Sequence, residues 1–263
     1  MYSAKSGKIA DDGMRILTID QGNSSAKAVV WEGNEPVISA RIFEMSIEEL
    51  LPLLESGEID GCAYCSVGHK DAKFMETLRR MLEGRLLVLT PSTPLPIGVR
   101  YASRSTLGND RVAAAAGAAL LFPGEGLLVA DAGTALTLDV VDSEGCFRGG
   151  NISPGLRMRF TSLHEATDRL PEVTEEGDVP TFGYDTTTAI RAGVAMGMTA
   201  EIRYAFEAAR RLYGCGRLLL TGNDATLLSE LLKRDGIEGV ADPNLVGLGL
   251  LSIFRYNLTA GAI

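Results

Sequence analysis

Two segments of the chain carry an aspartate at the end of an apolar run, followed by glycine and small hydroxyl residues. They are Ile16–Lys27, which contains Asp20-Gln21-Gly22-Asn23-Ser24, and Leu127–Thr137, which contains Asp131-Ala132-Gly133-Thr134. A strand that ends in a carboxylate and turns back through glycine makes a hairpin whose backbone N–H groups can face an anion. Two such hairpins across a cleft could hold a metal-bound polyphosphate. The repeat therefore predicts an ATP-using enzyme built from duplicated halves.

A second group of chemically capable residues, Gly108-Asn109-Asp110-Arg111, precedes an alanine-rich stretch. One interpretation is a helix start, with Asn109 as the N-cap and Asp110 favoured in the first turn by the helix dipole. The other makes Asp110 a general base for phosphoryl transfer and Arg111 the partner of a substrate carboxylate. The spacing alone favours neither interpretation.

Composition limits the classes of function. The chain has 263 residues, 46% hydrophobic and 22% charged, with a net charge of −9. This charge argues against nucleic acid or an acidic membrane surface as the main partner. No apolar run approaches the roughly 20 residues of a membrane span, and residues 1–13 have no signal-peptide core.

The four cysteines suggest a reducing compartment, hence the cytoplasm. Cys62 and Cys65 have the C-x-x-C spacing of zinc and redox sites. They lie in an apolar run typical of a strand, so we expect ordinary buried thiols rather than ligands.

The order of helices and strands predicts a duplicated α/β fold. Residues 1–13 form a tail, 14–123 a first lobe and 124–263 a second lobe. In the first lobe we expect strands at 15–20, 26–31, 36–43, 62–67 and 85–89, and helices at 47–54, 72–82 and 110–121. In the second we expect strands at 127–131, 136–141, 147–152 and 217–221, and helices at 156–170, 186–212, 226–233 and 245–256. Three antiparallel strands followed by alternating helices and strands are typical of ribonuclease-H-like lobes.

Taken in order, the motifs resemble type III pantothenate kinases, members of the acetate and sugar kinase/actin superfamily. The resemblance covers nearly the whole chain beyond the tail. It rests on the segments Asp20–Ser24, Tyr101, Leu107–Arg111, Asp131–Ala135, Gly149–Gly155, Gly183 with Thr186, and Thr221-Gly222. It implies an actin-like, sugar-kinase-like fold with mixed sheets and ATP in a cleft between the lobes.

The resemblance also implies roles for individual residues in ATP-dependent phosphorylation of pantothenate, the first step towards coenzyme A. Asp110 would be the catalytic base, and Asp131 would bind the activating K⁺ or NH₄⁺ that acts beside Mg²⁺ and ATP. Pantothenate would contact Tyr101, Gly108, Asn109, Asp110, Arg111 and, from the partner subunit of a homodimer with the site at its interface, Thr186. ATP phosphates would contact Asp20, Gln21, Gly22, Asn23, Ser24, Ser25, Ala26, Lys27, Gly133 and Thr134.

Three positions depart from the family pattern. Arg104 stands where the family usually has proline, Gly68-His69 replaces Val-Pro, and Asn223 replaces a second glycine. Two alternatives therefore stay open: a non-catalytic relative of the transcriptional accessory type, and a kinase of another small hydroxy acid. Retention of Asp20, Asp110, Arg111 and Asp131 favours the pantothenate kinase over the first alternative.

Overall fold

The structure is a computed structural model that describes residues 13–68 and 71–261 and divides into two compact units. The first unit contains the chain up to Gly124, the short segment Gly145–Phe147, and the C-terminal segment from Asn244. The second unit contains Glu125–Glu144 and Arg148–Pro243. The predicted N-terminal tail, apart from Gly13, lies outside the described residues.

The first unit is built on a five-stranded mixed sheet with the order β3-β2-β1-β4-β5. The strands β1 and β2 are antiparallel, as are β2 and β3, whereas β4 is parallel to β1 and β5 is parallel to β4. The bounds of these five strands are β1 Arg15–Gln21, β2 Ala26–Glu32, β3 Glu35–Ile42, β4 Gly61–Ser66 and β5 Leu86–Val88. A short strand outside this sheet, β6, spans Gly98–Val99.

Three helices of this unit follow from local signals in the sequence. They are α1 Ile47–Leu54, α2 Ala72–Met81 and α3 Asn109–Leu121. The Ser46 Oγ accepts a hydrogen bond from the Glu49 N–H at 3.2 Å, which confirms Ser46 as the predicted cap of α1. Apolar residues of α1 and α2, including Leu50 and Leu78, complete a core with Leu17 and Ile19 of β1.

The second unit repeats the strand order of the first. Its strands β7, β8, β9, β10 and β11 occur in the order β11-β10-β7-β8-β9. The antiparallel β7–β8 pair is followed, as in the first unit, by parallel pairing of β7 with β10 and of β10 with β11. The bounds are β7 Leu127–Ala132, β8 Ala135–Val141, β9 Cys146–Pro154, α4 Leu156–Glu165, α5 Thr186–Tyr213, β10 Arg217–Thr221, α6 Ala225–Arg234 and β11 Val240–Ala241.

The repeated order confirms the predicted duplicated α/β fold, and most predicted elements agree with the structure within a few residues. The sequence missed the two-residue strands β6 and β11, and it extended α4 to Leu170, whereas the helix ends at Glu165. β6 is held to the start of β9, where Gly98 faces Cys146 and Val99 faces Phe147. The predicted cleft for ATP depends on the arrangement of the two lobes, and it therefore stays a prediction.

The last helix, α7 Leu245–Thr259, belongs to the first unit, whereas the predicted single break at 123–124 placed it in the second lobe. It packs against α3 through facing glycines. A Cβ on Gly249 would lie 2.9 Å from the Gly117 nitrogen and would overlap the Ala113 carbonyl. The alanine-rich face of α3 permits the same close approach. Small residues on both helices therefore decide where the C-terminal helix packs.

The side chains of Cys62 and Cys65 are buried in β4, as expected for residues of an apolar strand. Burial raises the pKa of the Cys62 thiol well above its usual range, which disfavours the thiolate that metal binding and redox chemistry require. Within residues 13–68 and 71–261, no helix has both the length and the apolar character to cross a membrane.

Candidate functional site

The first hairpin presents an exposed polar loop at the end of β1. The loop is closed by a hydrogen bond from the Gly22 N–H to the Ser25 carbonyl at 3.0 Å. Asn23 and Ser24 at its tip are exposed, whereas Ala26 is buried as β2 begins. With Ile42, Phe43 and Met45, residues 21–26 line a pocket of about 70 Å³. This space suits a single phosphate-sized group, because pockets for whole ligands are typically ~300–1,000 Å³.

Gln21 is fixed at the base of this loop by a buried tyrosine. The Tyr64 hydroxyl donates a hydrogen bond to the Gln21 Oε1, and Tyr64 is only 1% exposed. Burial is the main cause that raises the pKa of Tyr64, so its hydroxyl keeps the proton with which it donates. The orientation of Gln21 therefore depends on the core of the first unit.

The second hairpin is tighter and belongs to the second unit. Only Gly133 and Thr134 separate β7 from β8, and the Gly133 N–H donates to the Ala135 carbonyl at 3.0 Å. The Gly155 N–H donates to the Thr134 carbonyl at 3.1 Å. A Cβ on Gly155 would lie 2.5 Å from that same carbonyl oxygen. The Gly/Pro loop before α4 therefore approaches this hairpin through its backbone, and glycine leaves the room for that approach.

Asp131 lies in β7 among oxygen-bearing neighbours. It faces Thr137 of β8 and Thr221 of β10 in the strand register. Gly222, with φ of +88°, follows Thr221, and a Cβ there would lie 2.6 Å from the Asp131 Oδ1. Glycine is therefore required both by the backbone conformation and by the space beside the carboxylate. Carboxylate, hydroxyl and carbonyl oxygens are ligands that hard cations prefer.

Asp224 adds a second carboxylate near this hairpin. Its N–H donates to the Ala132 carbonyl at 3.0 Å, and its side chain does not cap α6. Burial, with a smaller contribution from Glu175, raises the pKa of Asp224 to about 6. Asp224 follows the Thr221-Gly222 segment and Asn223 in the sequence, and nothing in the sequence predicted that burial would disfavour its charge.

At the start of α3 the structure corrects one prediction. The N-cap is Gly108, which provides no side-chain cap, and Asn109 is the first helical residue. The Asn109 Nδ2 donates instead to the Leu89 carbonyl at 3.1 Å, so Asn109 as N-cap was wrong. This hydrogen bond connects the start of α3 to Leu89, which directly follows β5.

The half-exposed Asp110 carboxylate is oriented locally. The Arg111 N–H donates to the Asp110 Oδ1 at 2.9 Å. A Cβ on Gly108 would overlap this oxygen, so the glycine leaves room for the carboxylate. This geometry serves both interpretations of the motif, because a first-turn carboxylate is stabilised by the helix dipole whether or not it accepts a proton.

The Arg111 side chain is held between two aromatic rings. Its guanidinium carbon lies 5.9 Å from the centroid of Tyr101 and 5.7 Å from that of Phe147, and the residue is only 5% exposed. The two rings contact each other edge to face at 5.9 Å. Such cation–π contacts fix the planar guanidinium. The structure thus brings Tyr101 and Arg111 together as the resemblance implied.

Phe147 is a member of this cluster that the sequence analysis did not single out. Its ring is fully buried. It reaches Tyr101 because β9 begins beside β6, and β6 starts three residues before the tyrosine. The separation of 46 positions between Tyr101 and Phe147 in the sequence left no local signal. An apolar residue at the start of a predicted strand looks like any other core residue.

Arg104 occupies the second position of the turn closed by the Thr106 N–H and the Ser103 carbonyl at 3.4 Å. Its Nη2 donates to the Thr90 carbonyl at 3.5 Å, and its buried Nη1 finds no partner within the described chain. Burial lowers the pKa of its guanidinium. Proline is generally favoured at this position of a turn, where this chain has arginine. His69, within another departure, lies outside the described residues.

Thr186, in the second unit, is exposed in the first turn of α5. The helix begins with a capping box, in which the Asp185 Oδ1 accepts from the Thr188 N–H at 2.8 Å. The preceding Phe182 and Tyr184 are 87% and 72% exposed. The capping box fixes the backbone of this helix start, and the aromatic side chains beside it are uncovered.

Several solved structures share the fold. The chain resembles a Baf family transcriptional activator from Campylobacter jejuni, with a TM-score of 0.61, 23% identity, and coverage of 92% of this chain and 99% of that one. It also resembles a putative N-acetylmannosamine kinase from Listeria monocytogenes, with a TM-score of 0.58, 14% identity, and coverage of 93% and 100%. At these identities the similarity shows a common fold, of the sugar-kinase and actin type, and does not show a common activity.

Sequence relatives are more specific. A type III pantothenate kinase from Porphyromonas gingivalis is 38% identical over 245 residues, covering 92% of this chain and 98% of its own length. One from Flavobacterium psychrophilum is 35% identical over 247 residues, covering 92% and 99%. The profile of the type III pantothenate kinase family matches residues 16–208. Together with the two hairpins and the Asp110–Arg111 helix start, these matches show that the chain belongs to the type III pantothenate kinase family.

Proposed function

We propose that this chain transfers the γ-phosphoryl group of ATP to the terminal hydroxyl of pantothenate, the first step of coenzyme A biosynthesis. The observation that carries the proposal is the helix start of α3, where an oriented carboxylate precedes a buried, ring-held guanidinium. A base and a carboxylate-binding cation at adjacent positions match an acceptor that carries both a hydroxyl and a carboxylate.

Asp110 would act as the general base that accepts the proton of the acceptor hydroxyl as the new P–O bond forms. One of its oxygens already accepts from the Arg111 N–H, which sets the orientation of the carboxylate. Arg111 would bind the pantothenate carboxylate through its planar fork of donors. Tyr101, Gly108 and Asn109 would line the same pocket. Phosphoryl transfer demands mostly positioning and charge stabilisation from the protein.

The first hairpin would bind the ATP phosphates. Its exposed loop of hydroxyl and amide side chains, with Asp20 and Lys27 in the adjoining strands, supports this role. Mg²⁺, bound with ATP, supplies positive charge that an acidic protein lacks. Gly133 and Thr134 of the second hairpin would contact the nucleotide as well.

Asp131 would hold the activating monovalent cation, K⁺ or NH₄⁺. The residues fit such an ion, because threonines of two adjacent strands accompany the carboxylate and Gly222 leaves space beside its oxygen. When bound, the cation would balance negative charge near the phosphates. The carboxylate, by contrast, would repel a phosphate in the absence of a cation.

A homodimer would complete the pantothenate site, with Thr186 of one subunit reaching the site of the other. The exposed Phe182 and Tyr184 beside Thr186 support this assembly, since adjacent exposed aromatic residues are typical of interfaces. Light scattering after size exclusion should give twice the chain mass of 28.0 kDa. An active monomer at assay concentrations would contradict the dimeric site.

The acceptor and nucleotide are small molecules, and we expect the reaction in the cytoplasm, without nucleic acid or membrane as a partner. The net charge of −9 argues against nucleic acid as a partner.

The decisive experiment is ADP release by purified protein with ATP, Mg²⁺ and pantothenate, in K⁺ buffer and again in Na⁺ buffer. We expect turnover that requires pantothenate and is faster in K⁺. Folded protein without pantothenate-dependent turnover in either buffer would refute the proposal. A panel of other small hydroxy acids in the same assay would then separate a kinase of different specificity, for which Arg104 is the relevant departure, from the non-catalytic relative.

A further inference from the structure

Asp20, Lys27 and Arg41 occupy facing positions on three neighbouring strands. Asp20 of β1 faces Lys27 of β2, and Lys27 faces Arg41 of β3. Side chains at directly facing positions of antiparallel strands point to the same side of the sheet. The row therefore places a carboxylate, an amine and a guanidinium on one face, next to the loop of the first hairpin. Arg41 has no role in any of the predictions above.

The Arg41 guanidinium is fixed by two contacts beside that loop. Its Nε donates to the Ser25 Oγ at 3.0 Å, and its central carbon lies 5.4 Å from the centroid of the Phe43 ring. Ser25 is the last residue of the loop, and its carbonyl also closes the loop through Gly22. A guanidinium has five N–H donors, so the bond from Nε to Ser25 leaves the N–H groups of both Nη atoms for a ligand beside the loop.

The charge pattern of this row calls for an anion. Facing like charges destabilise a strand pair, yet Lys27 and Arg41 face each other, and the single carboxylate of the row, Asp20, faces Lys27 from the other side. The row therefore carries one net positive charge in a protein of net charge −9. No carboxylate of the described chain forms an ion pair with Arg41. Its neighbour Phe43 is 73% exposed and lines the pocket together with residues 21–26, and the Arg41 guanidinium contacts this ring. A bound polyphosphate would relieve the repulsion between the two cations.

We infer that Arg41 binds the polyphosphate chain of the nucleotide directly, as a second cation beside Lys27, with Ser25 and Phe43 holding its guanidinium in place. The identity of the ligand as ATP rests on the proposed function; the anion site itself rests on the geometry of the first unit.

The test is calorimetric titration of the full chain with Mg²⁺-ADP and, separately, with inorganic tripolyphosphate. The variants are Arg41→Gln, Arg41→Lys and Ser25→Ala. Arg80→Gln is the matched control, because Arg80 is an exposed arginine on α2 of the same unit. Tryptophan fluorescence from Trp31 checks that each variant is folded.

We expect Arg41→Gln to weaken both ligands about tenfold, as for loss of a charge-assisted hydrogen bond. Arg41→Lys, which keeps the charge, should recover about half of that loss on a logarithmic scale, and Arg80→Gln should match the wild type. In the kinase assay the KM for ATP should rise in Arg41→Gln, while the KM for pantothenate stays unchanged.

Two results would overturn the inference. One is an Arg41→Gln variant that binds tripolyphosphate as tightly as Arg80→Gln does. The other is a Ser25→Ala variant with the full loss of Arg41→Gln together with no recovery in Arg41→Lys, because Arg41 would then act only through the loop. Failure of the proposed function is distinguishable: wild-type protein would bind tripolyphosphate in an Arg41-dependent manner and yet not phosphorylate pantothenate.

Discussion

The two hairpins share a sequence pattern but differ in their chemical surroundings. In the first, the row through Asp20 continues to Lys27 and Arg41, so two cations accompany the carboxylate. In the second, Asp131 faces Thr137 and Thr221 on the two adjacent strands, so hydroxyl oxygens accompany the carboxylate. The first set suits an anion and the second a cation. The two copies thus share one backbone arrangement, and the neighbouring strands give each copy different chemical surroundings.

Loop length adds to this difference. Four residues separate the first pair of strands, whereas two separate the second. The longer loop exposes side chains at its tip, and the tighter turn is enclosed by Gly155 and Gly222 through backbone contacts. A ligand of the first hairpin could therefore contact side chains of the loop. The turn of the second hairpin is instead surrounded by backbone atoms of neighbouring glycine residues.

The largest expected effect comes from a change at Asp110, which lies outside both hairpins. It would separate catalysis at the start of α3 from binding at the hairpins. Asp110→Asn should lower kcat by ~10²–10⁴-fold, because loss of a general base typically has that effect. Tripolyphosphate binding and the ratio of rates in K⁺ and Na⁺ should be unchanged. Steady-state kinetics measure this, and an undiminished kcat would exclude Asp110 as the base.

Asp131→Asn should abolish activation by K⁺ and leave the first hairpin intact. Loss of a charged ligand is typically ~1.5–3 kcal/mol, so we expect the rate in K⁺ to fall ~10–100-fold, to the level in Na⁺. Tripolyphosphate affinity should match the wild type. If Asp131→Asn instead weakened tripolyphosphate as Arg41→Gln does, the division of the hairpins into an anion and a cation site would be wrong.

Gly222→Ala tests the space beside Asp131, and Gly214→Ala is its matched control. Both glycines have positive φ, +88° and +67°, but a Cβ on Gly214 would meet no atom within 4 Å. Gly214→Ala should destabilise the protein by ~1–2 kcal/mol through the left-handed backbone, and Gly222→Ala should destabilise it more, because its Cβ would also lie 2.4 Å from the Ala132 carbonyl oxygen. Only Gly222→Ala should also raise the K⁺ concentration for half-maximal activation. Equal activation in the two variants would contradict a cation at this oxygen.

The smallest effect concerns pH and stability. Because burial raises the pKa of Asp224 to about 6 from 3.8, its ionised form destabilises the fold. That penalty is present above about pH 6 and vanishes as the pH falls towards 3.8. Asp224→Asn should therefore increase the free energy of unfolding at pH 8 and change it little near pH 4, as measured by urea denaturation. The exposed Asp168→Asn is the control, and a gain independent of pH would contradict the assignment to this carboxyl.

Local signals in the sequence were sufficient for most of the fold. Alternating and continuous apolar runs located the main strands, and Ser46 located the start of α1. The repeated aspartate-glycine hairpins indicated the duplication, which the matching strand orders confirm. The two-residue strands were missed, because so short a pairing depends on the partner strand rather than on its own residues.

The helix start of α3 shows where local reasoning failed. Asn109 is a good N-cap by propensity, but its amide binds the Leu89 carbonyl, twenty positions away. A tertiary contact therefore took the side chain that the cap would have used. The assignment of α7 to the first unit likewise depended on the facing of Gly117 and Gly249, which no single segment reveals.

The sequence by itself determined which chemically capable residues are present and in what order, because the motifs Asp20–Ser24, Leu107–Arg111 and Asp131–Ala135 are visible without a structure. Only the tertiary structure decided which residues are neighbours in space. It places Phe147 beside Arg111, Arg41 beside Lys27, and Gly222 beside Asp131. The physical reason is that charge stabilisation depends on distance in space. Strand register and helix packing set those distances between residues that lie far apart in the sequence.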